Sequence, residues 1–172
     1  LPQLKVLGSV MHTAPMDGPP EVACGGSDFA FRKRADGGYT IAQRGASVGE
    51  ITPDSFRLFR DFIPSFVRNR HEMRLRISSR FLDEWNTPRR WKLDDTTPFE
   101  TVRTLDPKPV PRILEEAKRN LTAAFPAFRN MTIANAWGGY VDATPDAVPI
   151  IGALDSLPGF YLATGFSGHG FG

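Results

Sequence analysis

The 172-residue chain holds a single cysteine, Cys24. That excludes an internal disulfide and a cysteine-rich metal site, and it makes a reducing, cytoplasmic setting the expectation. Histidine is scarce too: His12, His71 and His169 share no ligand spacing, so no metal is expected. No apolar run approaches the roughly 20 residues of a membrane-spanning helix. Leu1-Pro2-Gln3 shows neither a secretory leader nor an initiator Met. An excess of one charge is lacking: 21 Lys and Arg against 19 Asp and Glu leave a net +2, which does not mark a nucleic-acid binder. There is no internal repeat, no low-complexity tract, and no G-x-G-x-x-G between a strand and a helix, the usual cradle for a dinucleotide pyrophosphate.

What is present suits a packed protein of ordinary make-up, with 41% apolar and 23% charged residues. Fifteen prolines and sixteen glycines predict many turns and short elements. Residues 3–13 alternate around Leu4, Val6 and Leu7 and predict a strand. The runs 29–34 and 39–42 flank Asp36-Gly37-Gly38 and predict a β-hairpin. Thr52-Pro53-Asp54 predicts a helix start, with Phe56, Phe59, Phe62 and Ile63 on one face and a kink or stop at Pro64. Met73, Leu75 and Ile77 alternate with Arg74, Arg76 and Ser78, as in a half-solvated strand. Residues 83–109 read as irregular. Pro111 opens the clearest helix, striped by Ile113, Leu114, Ala117, Leu121, Ala124 and Phe125, with Glu115 and Arg119 able to pair outside it. A strand over 131–137 and a turn at Thr144-Pro145-Asp146 follow, Asp146 capping local backbone. Phe160 to Thr164 predicts a buried strand, which opens into a loop with glycine at 165, 168, 170 and 172. Such a loop brings backbone N–H groups close to a ligand, because glycine carries no Cβ and tolerates positive φ. The class is α+β.

Several residues admit more than one role. Arg57, Arg60, Arg68, Arg70, Arg74, Arg76 and Arg80 form a basic run read mostly as a solvated face. One of them, or Arg32 or Arg34 on the hairpin, is a candidate for a substrate carboxylate. His169 faces either a ligand or its own backbone, and Trp137 and Tyr140 either pack the core or wall a substrate cage. Gly165-Phe166-Ser167-Gly168 falls one residue short of a G-x-S-x-G nucleophile elbow, which argues against a serine hydrolase.

Two segments carry a resemblance. Trp137-Gly138-Gly139-Tyr140 leads into Thr144-Pro145-Asp146-Ala147-Val148-Pro149-Ile150-Ile151-Gly152, and Ala163-Thr164-Gly165-Phe166-Ser167-Gly168-His169-Gly170 follows. In that order they resemble the C-terminal signature of FAD-dependent amine oxidoreductases of the D-amino-acid oxidase and sarcosine oxidase superfamily. That signature is W-x-G, then T-P-D-x-x-P-x-I-G, then a strand ending A-T-G-x-x-G-H-G.

The resemblance implies a substrate-binding lobe over 1–136, a mostly antiparallel mixed sheet with flanking helices. It implies that 137–172 is the C-terminal strand and Gly-rich loop of a Rossmann-type FAD domain, whose dinucleotide fingerprint stands upstream of Leu1. FAD is then the cofactor, held non-covalently because 137–141 contains no cysteine. Its contacts would be Gly152, Gly165, Phe166, Ser167, Gly168, His169, Gly170, Phe171 and Gly172. Trp137, Tyr140 and His169 would meet the substrate, and no catalytic residue is singled out. Val141 and the region of Gly172 are apolar where relatives place a carboxylate-binding Arg or Lys, so that recognition has to come from elsewhere. The implied reaction is oxidation of the C–N bond of an amine or amino acid, a D-amino acid, glycine or a sarcosine-like molecule, with O2 or an electron-transfer partner as final acceptor. The other reading is a non-catalytic domain that keeps the scaffold and binds a ligand or a protein. Surface left open by a missing FAD lobe would make the piece prone to associate.

Overall fold

The longest alternating segment sets the architecture. In β1 (Leu4–Thr13) the side chains of Leu7, Ser9, Met11 and Thr13 are buried on one side, the period-two pattern of a half-covered strand. The computed structural model describes residues 1–70 and 73–168. β1 pairs along its whole length with β7 (Ile133–Ala143), antiparallel. Its other edge is shared: β4 (Tyr39–Ala42) pairs with its C-terminal part and β5 (Ser47–Glu50) with its N-terminal part, both antiparallel. β2 (Ala23–Gly25) and β3 (Ala30–Lys33) extend the sheet beyond β4. β6 (Met73–Arg76) pairs parallel with β5 and completes a seven-stranded mixed sheet. β8 (Ile150–Ala153) and β9 (Tyr161–Thr164) form a separate antiparallel pair. The predicted α+β class and hairpin are what the fold contains.

One face of the large sheet is covered. α5 (Pro111–Ala124) lays Ile113, Ala117 and Leu121 against it, and Leu114 is half-buried beside them. Phe29, Phe31, Tyr39, Phe125 and Phe128 interlock there, with ring centroids 5.0–6.5 Å apart and mostly edge-to-face. A second cluster joins Leu7, Ala46, Val48 and Ile113. Gly138 is buried in β7 and has no room for a side chain, since a Cβ there would strike the Pro107 carbonyl.

Several expectations change. The helix that begins at Thr52 breaks at Leu58, not at Pro64. α1 (Pro53–Arg57) ends there, and α2 (Phe59–Asn69) runs on through Pro64. No residue of α2 is buried, so the carbonyl deprived of the proline N–H meets solvent. The irregular stretch holds α3 (Arg80–Asn86) and a single turn, α4 (Pro98–Thr101). Thr97 and Glu100 fix α4 by exchanging hydrogen bonds. Glu116, not Glu115, forms the ion pairs of α5, with Arg112 and with Arg74. The basic run is less solvated than expected: Arg76 and Arg80 pair with Glu50 and Glu84. The strand at 161–164 is not buried, since Tyr161 is 74% exposed and β9 pairs only with β8. The expected boundary between 136 and 137 falls inside β7. Among the described residues no helix is long and apolar enough to cross a membrane.

Candidate functional site

The face of the large sheet turned away from α5 is the candidate site. Register sorts its side chains into rows across the strands. Ala23, Arg32, Thr40, His12 and Asn135 form the first row, and Gly25, Ala30, Ala42, Val10 and Trp137 the second. Gly8 and Gly139 stand opposite each other in the third. Leu75, Gly49, Val6 and Val141 form the fourth. The third row therefore has no side chains. Added carbons would meet nothing within 4 Å at Gly139 and only the Gly139 carbonyl, at 3.7 Å, at Gly8. Trp137 and Val141, about 14 Å apart along β7 at roughly 3.4 Å per residue, wall this bare lane. Glycine inside a strand commonly marks a close approach by a ligand or another backbone.

The Gly-rich bend runs along the edge of β7 beside this face: Gly165 is held by the Asp142 side chain, in phase with Tyr140 on the other side of the strand, and Gly168 reaches Val141 on the open face. Gly165, Ser167 and Gly168 have φ of 73°, 49° and 86°. A Cβ at Gly165 would run into Thr144, and one at Gly168 would touch Val141 at 3.7 Å. Asp142 fixes the bend. Its Oδ2 accepts from the Gly165 N–H at 2.9 Å, from Thr164 Oγ1 at 3.0 Å and from Gln3 Nε2 at 3.0 Å, and its carbonyl accepts from the Ser167 N–H at 2.9 Å. Ser167 Oγ accepts in turn from the Thr144 N–H. Among the described residues, the Phe166 and Gly168 N–H groups take no protein acceptor. His169, Gly170, Phe171 and Gly172 lie outside the described residues. Gly152 sits in β8 opposite Leu162, with open space where a Cβ would stand.

Trp137 and Tyr140 are not brought together. Three residues apart on a strand, they leave opposite sides of the sheet. Tyr140 stands on the helix side, where its hydroxyl donates to Glu50 Oε2 at 2.6 Å and the Arg80 guanidinium lies 4.3 Å from its ring centre. Glu50 is 7% exposed and also accepts from Arg76 Nη2 at 2.6 Å and Ser78 Oγ at 2.8 Å. Burial pushes its carboxyl up, but the bonds from Tyr140, Arg76 and Ser78 outweigh that and leave it below the ordinary range. Burial and the neighbouring Glu50 push the Tyr140 hydroxyl up. A cavity of about 610 Å³ opens beside this cluster. Its cationic side chains are already paired, Lys5 with Glu84 and both Arg57 and Arg89 with Asp54, so among the described residues it offers an anionic ligand no uncommitted cationic side chain.

The sheet face differs in this respect. Arg32 has no carboxylate within ion-pair distance among the described residues, and it lines a 430 Å³ groove over Gly25, Ala30 and Ala42. Arg34 is committed. Its Nε and Nη2 donate to Asp36 and its Nη1 lies 3.3 Å from His12 Nδ1. Arg34 and the Gly38 N–H hold the Asp36 carboxyl down at about 2. His12 touches Trp137, with ring centroids 5.7 Å apart. Asp146 accepts from the Val148 N–H, the expected local cap. Cys24 packs beside the aromatic core. Among the described residues no three His, Cys, Asp or Glu side chains gather as a metal site. The sequence reading missed His12, Asp142 and the Gly8–Gly139 pair; two glycines within strand-forming runs were the one signal available for the last.

Solved structures share this fold. The L-amino acid deaminase from Proteus myxofaciens shares 28% identity and superposes with a TM-score of 0.89 over 95% of this chain. The L-amino acid deaminase from Proteus vulgaris, 23% identical, gives 0.82 over 95%. The L-proline dehydrogenase from P. horikoshii, 22% identical, gives 0.59 over 99% and carries the fold alone. This chain spans 36%, 38% and 32% of those three chains. No curated protein sequence matches significantly. The family model for DAO, FAD dependent oxidoreductase, matches residues 1–172, and the chain belongs to that family of flavin-dependent enzymes.

Proposed function

We propose that the protein carrying this chain oxidises the C–N bond of an amino acid or a closely related amine, and that the substrate lies on the open sheet face. The observation that carries this reading is the bare Gly8–Gly139 lane between Trp137 and Val141, with the Gly165–Gly168 bend beside it. FAD, when bound, supplies the two-electron acceptor. The residues present leave room for its flat ring over a substrate on the lane: no side chain rises from Gly8 or Gly139, and the Phe166 and Gly168 N–H groups are backbone donors of the kind that stabilise developing negative charge. No cysteine lies along 137–141, so FAD is held without a thioether.

The chain's own residues have separate tasks. Trp137 walls the lane and keeps water from the substrate's apolar part. Arg32 draws a carboxylate to the face. The amine loses a hydride from carbon and a proton from nitrogen, and the imine takes up water to give a carbonyl compound and a free amine or ammonia. The Proteus myxofaciens deaminase structure holds anthranilate, an aromatic carboxylate, which supports a carboxylate-bearing ligand here as well.

Anaerobic mixing of the FAD-loaded protein with amino acids and amines tests this. Bleaching of the visible flavin absorbance is expected. Return of colour with O2 identifies an oxidase; colour that returns only with another acceptor identifies a dehydrogenase. A yellow protein that no amine or amino acid bleaches overturns the reading. So does a protein that takes up no FAD, which favours the non-catalytic binding domain.

A further inference from the structure

We propose that His12 receives the substrate's carboxylate, donating from Nε2, and that Asp36 and Arg34 form a strut that holds the imidazole ready to do so. The inference rests on the reading of the sheet face given above. It turns on one donor–acceptor constraint. A guanidinium can only donate, so at 3.3 Å from Arg34 Nη1 the His12 Nδ1 is the acceptor. The proton of the neutral ring then sits on Nε2. Arg34 cannot swing away to release that proton, because its Nε and Nη2 grip Asp36 at 2.8–3.1 Å, and Asp36 is itself fixed by the Gly38 N–H at 3.0 Å. Gly38 in turn has no room for a side chain, since a Cβ there would strike the Thr13 carbonyl.

The position suits the role. His12 is half-buried on the open face and in register between Thr40 and Asn135. It touches the Trp137 ring that walls the glycine lane. A carboxylate at His12 thus leaves the rest of the molecule lying along Trp137 toward Gly139. Arg34 is too committed to bind the carboxylate itself, and Arg32 stands two interstrand spacings away, about 10 Å. The site is then selective for amines that keep a free carboxylate next to an apolar body. Arg34 and Asp36 act through His12 and are positioning residues.

The test uses the FAD-loaded protein and a matched ligand pair, benzoate and benzamide, read by perturbation of the flavin absorbance. His12→Leu is expected to weaken benzoate at least about tenfold and leave benzamide within about twofold. His12→Gln keeps an N–H donor and an acceptor for Arg34, and is expected to recover most of the benzoate affinity. Arg34→Gln is expected to raise KM for an amino acid substrate several-fold with kcat little changed. Equal loss of both ligands in His12→Leu, no loss of either, or no recovery in His12→Gln overturns the proposal. So does benzoate selectivity that disappears in Arg32→Ala but survives in His12→Leu. If the protein holds no FAD, the functional reading fails separately, and calorimetric titration of the same ligand pair still decides the role of His12.

Discussion

Filling the bare lane separates stability from ligand binding. Gly139 has an ordinary backbone conformation, and a Cβ placed on it meets nothing within 4 Å. Gly139→Val therefore adds a β-branched side chain to the middle of β7 without a clash. Removing glycine from a strand interior recovers roughly 0.5–1 kcal/mol of chain entropy, so stability is expected to stay level or rise by up to about 1 kcal/mol. A planar ring packs on bare backbone at roughly 3.5–4 Å, the same space the valine methyls would take. Forcing a ring against added methyl groups costs on the order of 1–3 kcal/mol, or about fivefold to 150-fold in affinity. A urea melt of the protein and a flavin-absorbance titration with benzoate read the two quantities side by side. Weaker binding with an unchanged or raised urea midpoint is the expected outcome. Wild-type affinity in a folded Gly139→Val protein would refute the assignment of the lane as the ligand floor, and loss of the fold would refute the statement that the face is open.

Other consequences follow from the same geometry. Asp142→Ala removes the acceptor of the Gly165 N–H, Thr164 and Gln3, and should cost roughly 2–4 kcal/mol. Amide hydrogen exchange at Gly165 should accelerate at least about tenfold, whereas unchanged exchange there would show that the bend is held by something else. Gly165→Ala meets both the positive φ and Thr144, and a loss of at least about 1–2 kcal/mol is expected in the same urea melt. Glu50→Ala strands Arg76, Ser78 and the Tyr140 hydroxyl in a part-buried site, with an expected loss of roughly 2–4 kcal/mol. The folded Glu50 carboxyl titrates below its ordinary value of 4.5, so its contribution is complete above that pH and fades as pH falls through the folded value. Glu50→Gln should flatten the acid limb of the stability–pH curve, and an acid limb of unchanged slope would count against the ion-pair account.

Much of the frame was legible because it rests on local periodicity. The alternation in 4–13, the Asp36-Gly37-Gly38 turn between two apolar runs, and the 113–117–121 stripe each require only neighbouring residues to be read. The break at Leu58 was hidden because proline outranks leucine as a local stop signal, and Pro64 is tolerable because it is exposed on a helix with no buried residue. The exposed side of Tyr161 was hidden for a related reason: an apolar run reads the same whether or not a second layer covers it. The opposite orientations of Trp137 and Tyr140 were available from their three-residue spacing once the segment was taken as a strand. The contacts that define the site were not available. His12 meets Arg34 and Trp137, and Asp142 meets Gln3 and Gly165, across separations that no local pattern encodes. Motif order pointed to the Gly-rich bend, yet Asp142, which occupies two of its N–H groups, stood inside the motif as an unremarked residue.

Where the isoalloxazine ring rests decides the account. A crystal structure of the FAD-bound protein with benzoate should place the benzoate ring in van der Waals contact with Gly139, its carboxylate within hydrogen-bond reach of His12 Nε2, and the isoalloxazine ring beside it against Val141 and the 165–168 bend. A ring docked against the α5 side of the sheet, or held away from residues 137–141 altogether, would contradict it.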